Sequence, residues 1–107
     1  MSPSRREQIE AMLAEDPQDV FLRYSLGMEM AKDGDLEGSV DQMATLLTES
    51  PPYVPAFFTS ARHLAELGRT EAARDLLRSG IEQARAQGDA HAAAEMAELL
   101  TALGAQP

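Results

Sequence analysis

The chain has 107 residues, 44% of them hydrophobic and 25% charged, with a formal net charge of −9. Size and composition are those of one folded, soluble domain, and the acidity argues against a nucleic-acid binder or a protein docked on anionic membranes. It contains no cysteine, so no disulfide framework, thiol nucleophile or zinc–thiolate site is possible. Eleven acidic and four basic residues fall within 1–50, against seven and five within 51–107. A partner steered by charge is therefore expected to be basic and to meet the amino-terminal half. Solubilising surface charge is the plainer reading of the same imbalance.

The first sixteen residues, MSPSRREQIEAMLAED, carry two arginines with no apolar stretch behind them, unlike a secretory signal. No apolar run approaches the roughly 20 residues of a membrane span, and a cytoplasmic protein is expected. The first helical pattern, 4–15, sets Ile9, Met12 and Leu13 against a polar face of Arg5, Arg6, Glu7 and Glu10. In the following EDPQD, Asp16 is expected to cap the next helix. Pro17 takes its first position there, and Asp19 lies in the first turn near the positive end of the dipole.

The second helix is predicted over 18–33. Phe21, Tyr24, Met28 and Ala31 fall on one side and Leu22, Leu26 and Met30 on another, with Ser25, Glu29 and Lys32 as a narrow polar arc interrupted elsewhere only by Arg23. Such a helix must be covered from several directions. Gly27 inside it costs about 1 kcal/mol of helix propensity against alanine and marks a close approach by a neighbour. Gly34 then ends the helix, and Asp35 is a plausible cap for the next one.

The third helix, 36–49, has one apolar stripe of Leu36, Val40, Met43, Leu46 and Leu47, and Pro51 follows its end. Helices are predicted over 54–67, 70–86 and 89–103, with Gly68 closing the fourth and Thr70 capping the fifth. The fifth has Ala73, Leu76, Leu77, Ile81 and Ala84 on a single face. No segment alternates with period two, so no strands are expected.

Asp16-Pro17 recurs as Ser50-Pro51, and Gly34 recurs as Gly68, each after 34 residues. On Leu26-Gly27, Gly34, Leu36, Met43 and Pro51, and again on Phe57, Ala61, Leu64, Gly68, Ala73 and Leu77, the chain resembles the tetratricopeptide repeat family, whose units are 34-residue helix pairs. The resemblance covers nearly the whole chain and is to a small bacterial protein of that kind, in keeping with eight arginines to one lysine and alanine-rich helices. It implies an all-α, right-handed α-solenoid of antiparallel helix pairs in one domain: a half-unit 4–17, a unit 18–53, a unit 54–87 and a capping helix 89–103. Arg23, Ser39, Ser60, Gly80 and Arg85 depart from the family's usual residues. A plain six-helix bundle with a coincidental spacing is the alternative.

The resemblance further implies a concave groove, formed by the first helices of successive units, that takes a peptide of another protein. Its residues here are Phe21, Tyr24, Met28 and Lys32 from the first unit and Phe58, Thr59, Arg62 and Glu66 from the second. Aromatic anchors and a pliable methionine suit an apolar side chain, and Arg62 suits a carboxylate. Against this, the last helix could fill so short a groove and leave Phe21 and Tyr24 as core, with Arg62 and Glu66 merely solvated. Some relatives clamp a partner's terminal carboxylate with Lys and Asn. Tyr24, Met28 and Thr59 stand at those places, so that clamp is missing.

Asp33, Asp35 and Glu37 in DGDLE lack the further ligands of a calcium loop and read as a turn. His91 and Glu95 share a helix face with no third ligand in sight. No glycine-rich phosphate loop or nucleophile motif occurs, and the acidic pairs lie on exposed faces, so neither catalysis nor a metal or cofactor is expected. Two functional readings remain: a peptide-binding interaction module, and a subunit that self-assembles into a homo-oligomer through its terminal helices.

Overall fold

A computed structural model describes residues 2–104. It contains six helices: α1 Arg5–Glu15, α2 Val20–Lys32, α3 Leu36–Leu47, α4 Val54–Glu66, α5 Thr70–Ala86 and α6 Ala90–Gly104, with no strand among the described residues. Each helix packs on the next in sequence, and α4 also touches α6. This neighbour-on-neighbour packing is that of a solenoid. The radius of gyration is 14.4 Å and the extents are 46 × 31 × 19 Å. A compact domain of this length has a radius nearer about 13 Å, so the stack is elongated.

The helix ends follow local chemistry. Gly34, Gly68 and Gly88 have φ of 90°, 80° and 77°, the left-handed geometry that closes a helix without a Cβ penalty. Ser4 and Glu7 form a reciprocal capping box on α1. Asp35 accepts from the Gly38 amide at 2.8 Å, as expected. Two other caps differ from expectation. Asp16 ends α1 rather than starting α2, and Asp19 caps α2 by accepting from the Leu22 amide at 2.8 Å. The intervening Pro17-Gln18 forms a turn, so α2 begins at Val20. Thr70 is the first residue of α5, and Arg69 precedes it without a side-chain cap.

The main core lies at the carboxy-terminal end, where Val54, Phe57, Ala61 and Leu64 of α4 meet Leu77, Ile81 and Ala84 of α5 and Ala93, Met96 and Leu103 of α6. A second cluster joins Met43 and Leu46 of α3 to Ala56, with Tyr24 and Tyr53 against it. Helix α2 is flanked by α1 and α3. A Cβ on Gly27 would lie 2.7 Å from Met43 Cε, which makes Gly27 the point where α3 crosses. The third side of α2 is uncovered: Phe21 is 64% exposed and Met28 42%, so cover is less complete than the residue pattern predicts.

The expected polar arc is also partly enclosed. Glu29 is buried and pairs with Arg5 at 3.0 Å and with Lys32 at 3.7 Å, while Arg6 reaches Asp33 at 3.6 Å. Arg5 and Arg6 thus turn toward α2 and tie α1 down, where a solvated outer face was expected. Arg23 binds Glu49 and donates to the Thr45 carbonyl, a polar lock between α2 and α3. Ser39, fully buried, lies 3.2 Å from His63 Nδ1. A Cβ on Gly80 would lie 2.7 Å from Phe57 Cβ, so α5 and α4 touch almost backbone to backbone there.

Candidate functional site

Helices α2, α4 and α6 present one side of the stack, and two hollows open on it. The first is a cavity of about 260 Å³ lined by Tyr24 from α2, by Val54, Pro55, Phe58 and Thr59 from α4, and by residues of α6 with the preceding Asp89. Its floor is apolar, closed by Met96 and Ala92. Its rim carries Asp89, Glu95 and His91, with His91 Nε2 3.2 Å from Glu95. The second, of about 250 Å³, is lined by Met28, Ala31, Lys32 and Leu36 on one side and Thr59, Arg62, His63 and Glu66 on the other.

Thr59 borders both hollows, and its hydroxyl is 2.8 Å from that of Tyr24. This bond bridges α2 and α4 between them. Tyr24 is held further by an edge-on contact with Tyr53, centroids 5.3 Å apart. Burial, with Tyr24 nearby, pushes the Tyr53 phenol above its usual pKa. Arg62 lies over the Phe58 ring, 5.8 Å from its centroid, within cation–π range. Burial lowers the His63 pKa; Glu66 opposes that shift and Arg62 adds to it, so the imidazole is neutral at pH 7.

Seven of the eight expected groove residues line these hollows: Tyr24, Phe58 and Thr59 the first, and Met28, Lys32, Thr59, Arg62 and Glu66 the second. Phe21 lines neither and stands exposed at the free edge of α2. The last helix, weighed as a possible filling of the groove, instead walls its first hollow. A signal for this wall exists in the 34-residue step, carried once more along the chain, but α5 shifts the register. Its 17 residues exceed the 12 of α3, because Arg85 stands where the proline landmark would recur and nothing stops the helix before Gly88. The cap of α6, Asp89, which accepts from the Ala92 amide at 3.0 Å, therefore follows Tyr53 by 36 residues where Tyr53 follows Asp19 by 34.

A shallower furrow of about 420 Å³ runs between α3 and α5, lined by Val40, Ala44, Leu47, Leu76 and Ser79 over Ser60 and Leu64. No group of three or more metal-ligating side chains occurs among the described residues. No helix among them is long and apolar enough to cross a membrane.

No family model matches the sequence, and no curated protein matches it. Solved structures do match it. A solution structure of a protein from Bordetella parapertussis is 26% identical, with a TM-score of 0.83 over 96% of this chain and 90% of that one. A tetratricopeptide repeat domain protein from Salinibacter ruber, also solved in solution, is 27% identical, with a TM-score of 0.79 over 84% of this chain and 92% of that one.

Proposed function

Because this chain has the tetratricopeptide-type repeat fold, a scaffold generally used for contacts between proteins, we propose that it binds a short segment of a partner protein along the face formed by α2, α4 and α6. The observation that carries this reading is the hollow beneath Tyr24, Phe58 and Met96, apolar at its floor and acidic at its rim. A cavity of about 260 Å³ has room for one large apolar side chain. Asp89 and Glu95 at the mouth favour a lysine or arginine beside that side chain. The basic partner follows from this rim as well as from the net charge of −9.

The second hollow continues the track. Arg62 and Lys32 at its sides suit a carboxylate further along the same segment, with Glu66 opposing a second one. Affinity would come chiefly from the apolar anchor, and direction along the groove from the acidic end at α6 and the mixed end at Lys32. No catalytic step is assigned to these residues.

The test is selection of peptides from a displayed random library, followed by titration of the recovered sequences. Phe58→Ala enlarges the anchor site and is expected to weaken binding at least tenfold with helical circular dichroism unchanged. Glu95→Lys is expected to abolish the preference for basic flanks while leaving the apolar preference. Recovery of peptides indifferent to both changes would remove this site from consideration.

A further inference from the structure

Among the described residues, three large apolar side chains stand exposed: Met12 at 48%, Phe21 at 64% and Met28 at 42%. All three belong to α1 and α2. Phe21, Ser25, Met28 and Lys32 follow one another at intervals of four, three and four, the spacing of a coiled-coil seam, and so share one face of α2. Met12 lies on the adjacent α1. The Arg5–Glu29 and Arg6–Asp33 pairs fix α1 antiparallel to α2, and seven residues on from Arg5 brings Met12 level with Leu22.

We propose that this face is where a second copy of the chain docks, α2 against α2 in antiparallel fashion about a two-fold axis at Ser25. The seam is complementary to its own reverse. With Ser25 on the axis, Phe21 of each copy meets Met28 of the other, a favourable sulfur–aromatic contact. The small serine lets the helices approach at the centre. Lys32 of each copy arrives opposite Gln18, between Asp16 and Asp19 at the start of the facing α2. There the carboxylates of Asp16 and Asp19 face it and offset the positive end of the α2 dipole, and its internal partner Glu29 is a weak one at 3.7 Å.

The other end of the stack favours closure at two copies. The exposed face of α6 carries Ala94, Glu98, Thr101 and Ala102, small or charged side chains with nothing to hold another copy. An isologous α2–α2 contact closes on itself instead of growing a filament. The pairing goes beyond the peptide-binding reading: it covers the Met28 and Lys32 end of the groove and leaves the hollow at Phe58 and Met96 open.

Sedimentation equilibrium of the full chain over micromolar to millimolar concentration tests this. The wild type is expected to pass from one to two copies. Phe21→Glu, at a site too exposed to threaten folding, is expected to remain a monomer throughout. Lys32→Glu is expected to weaken association at least tenfold, and Lys32→Glu with Asp16→Lys to recover most of it. A wild type that stays monomeric, a dimer indifferent to Phe21→Glu, or a species larger than two copies would each overturn the proposal. Peptide titration of the Phe21→Glu monomer keeps the two ideas separable, because the apolar anchor at Phe58 is expected to bind in monomer and dimer alike, whereas only the monomer leaves Lys32 free for the rest of the segment.

Discussion

The hydroxyls of Tyr24 and Thr59 lie 2.8 Å apart, and this bond joins α2 and α4 across the face they share. Thr59 is largely buried, so loss of its partner leaves a polar group only partly able to turn to water. Tyr24→Phe is expected to destabilise the fold by about 1–2 kcal/mol. Thr59→Val in the same chain should recover part of that loss. Urea unfolding of both single variants and the double variant measures the coupling; strictly additive effects would show that the bond contributes nothing.

The two glycines at helix crossings should respond differently to alanine. At Gly80 the new Cβ meets Phe57 Cβ at 2.7 Å, an atom fixed to the α4 backbone. Gly80→Ala is expected to cost about 1–3 kcal/mol through overpacking, exceeding the helix propensity it gains. At Gly27 the nearest atom is the terminal methyl of Met43, which can turn aside. Gly27→Ala is expected to be the milder change, offset by about 1 kcal/mol of propensity. Chemical denaturation of the pair checks the order.

Ser60 is buried and its hydroxyl has no hydrogen-bond partner among the described residues. Ser60→Ala removes an unmet polar group while keeping the backbone conformation. Its expected effect is a gain of up to about 1 kcal/mol, read as a raised thermal midpoint. A clear loss would mean that the hydroxyl is bonded in solution.

His63 gives the stability a pH dependence of defined sign. Its folded pKa lies below the ordinary 6.5, chiefly from burial, so the unfolded chain binds a proton more readily than the folded one. Its contribution is whole above about pH 6.5 and is lost progressively as the pH falls toward the lower folded value. Stability should therefore fall more steeply between pH 7 and 5 in the wild type than in His63→Asn, which cannot titrate. Parallel slopes in the two proteins would contradict the assignment.

Much of this architecture was legible because punctuation and period agree. Gly34 and Gly68 adopt the positive φ that their positions between helical patterns required, and Gly27 lies at the expected crossing. Helix ends set by competing caps were harder to read. Asp16 and Asp19 both precede an apolar pattern, and only the Pro17-Gln18 turn decides between them. The fate of Glu29 was also hidden, because its burial depends on Arg5 arriving from another helix. The role of α6 was half legible: the sequence allows a cap that enters the groove, but only packing shows Met96 turned inward and Asp89 and Glu95 lining the hollow.

The hollow between α2, α4 and α6 is proposed to receive an apolar side chain with a basic neighbour. The most direct measurement is fluorescence polarisation of library-selected peptides against the wild type, Phe58→Ala and Glu95→Lys. The expected peptides share one large apolar residue next to lysine or arginine, with affinity reduced by the first change and the basic preference erased by the second. Selected peptides that lack this pairing, or that bind all three proteins alike, would contradict it.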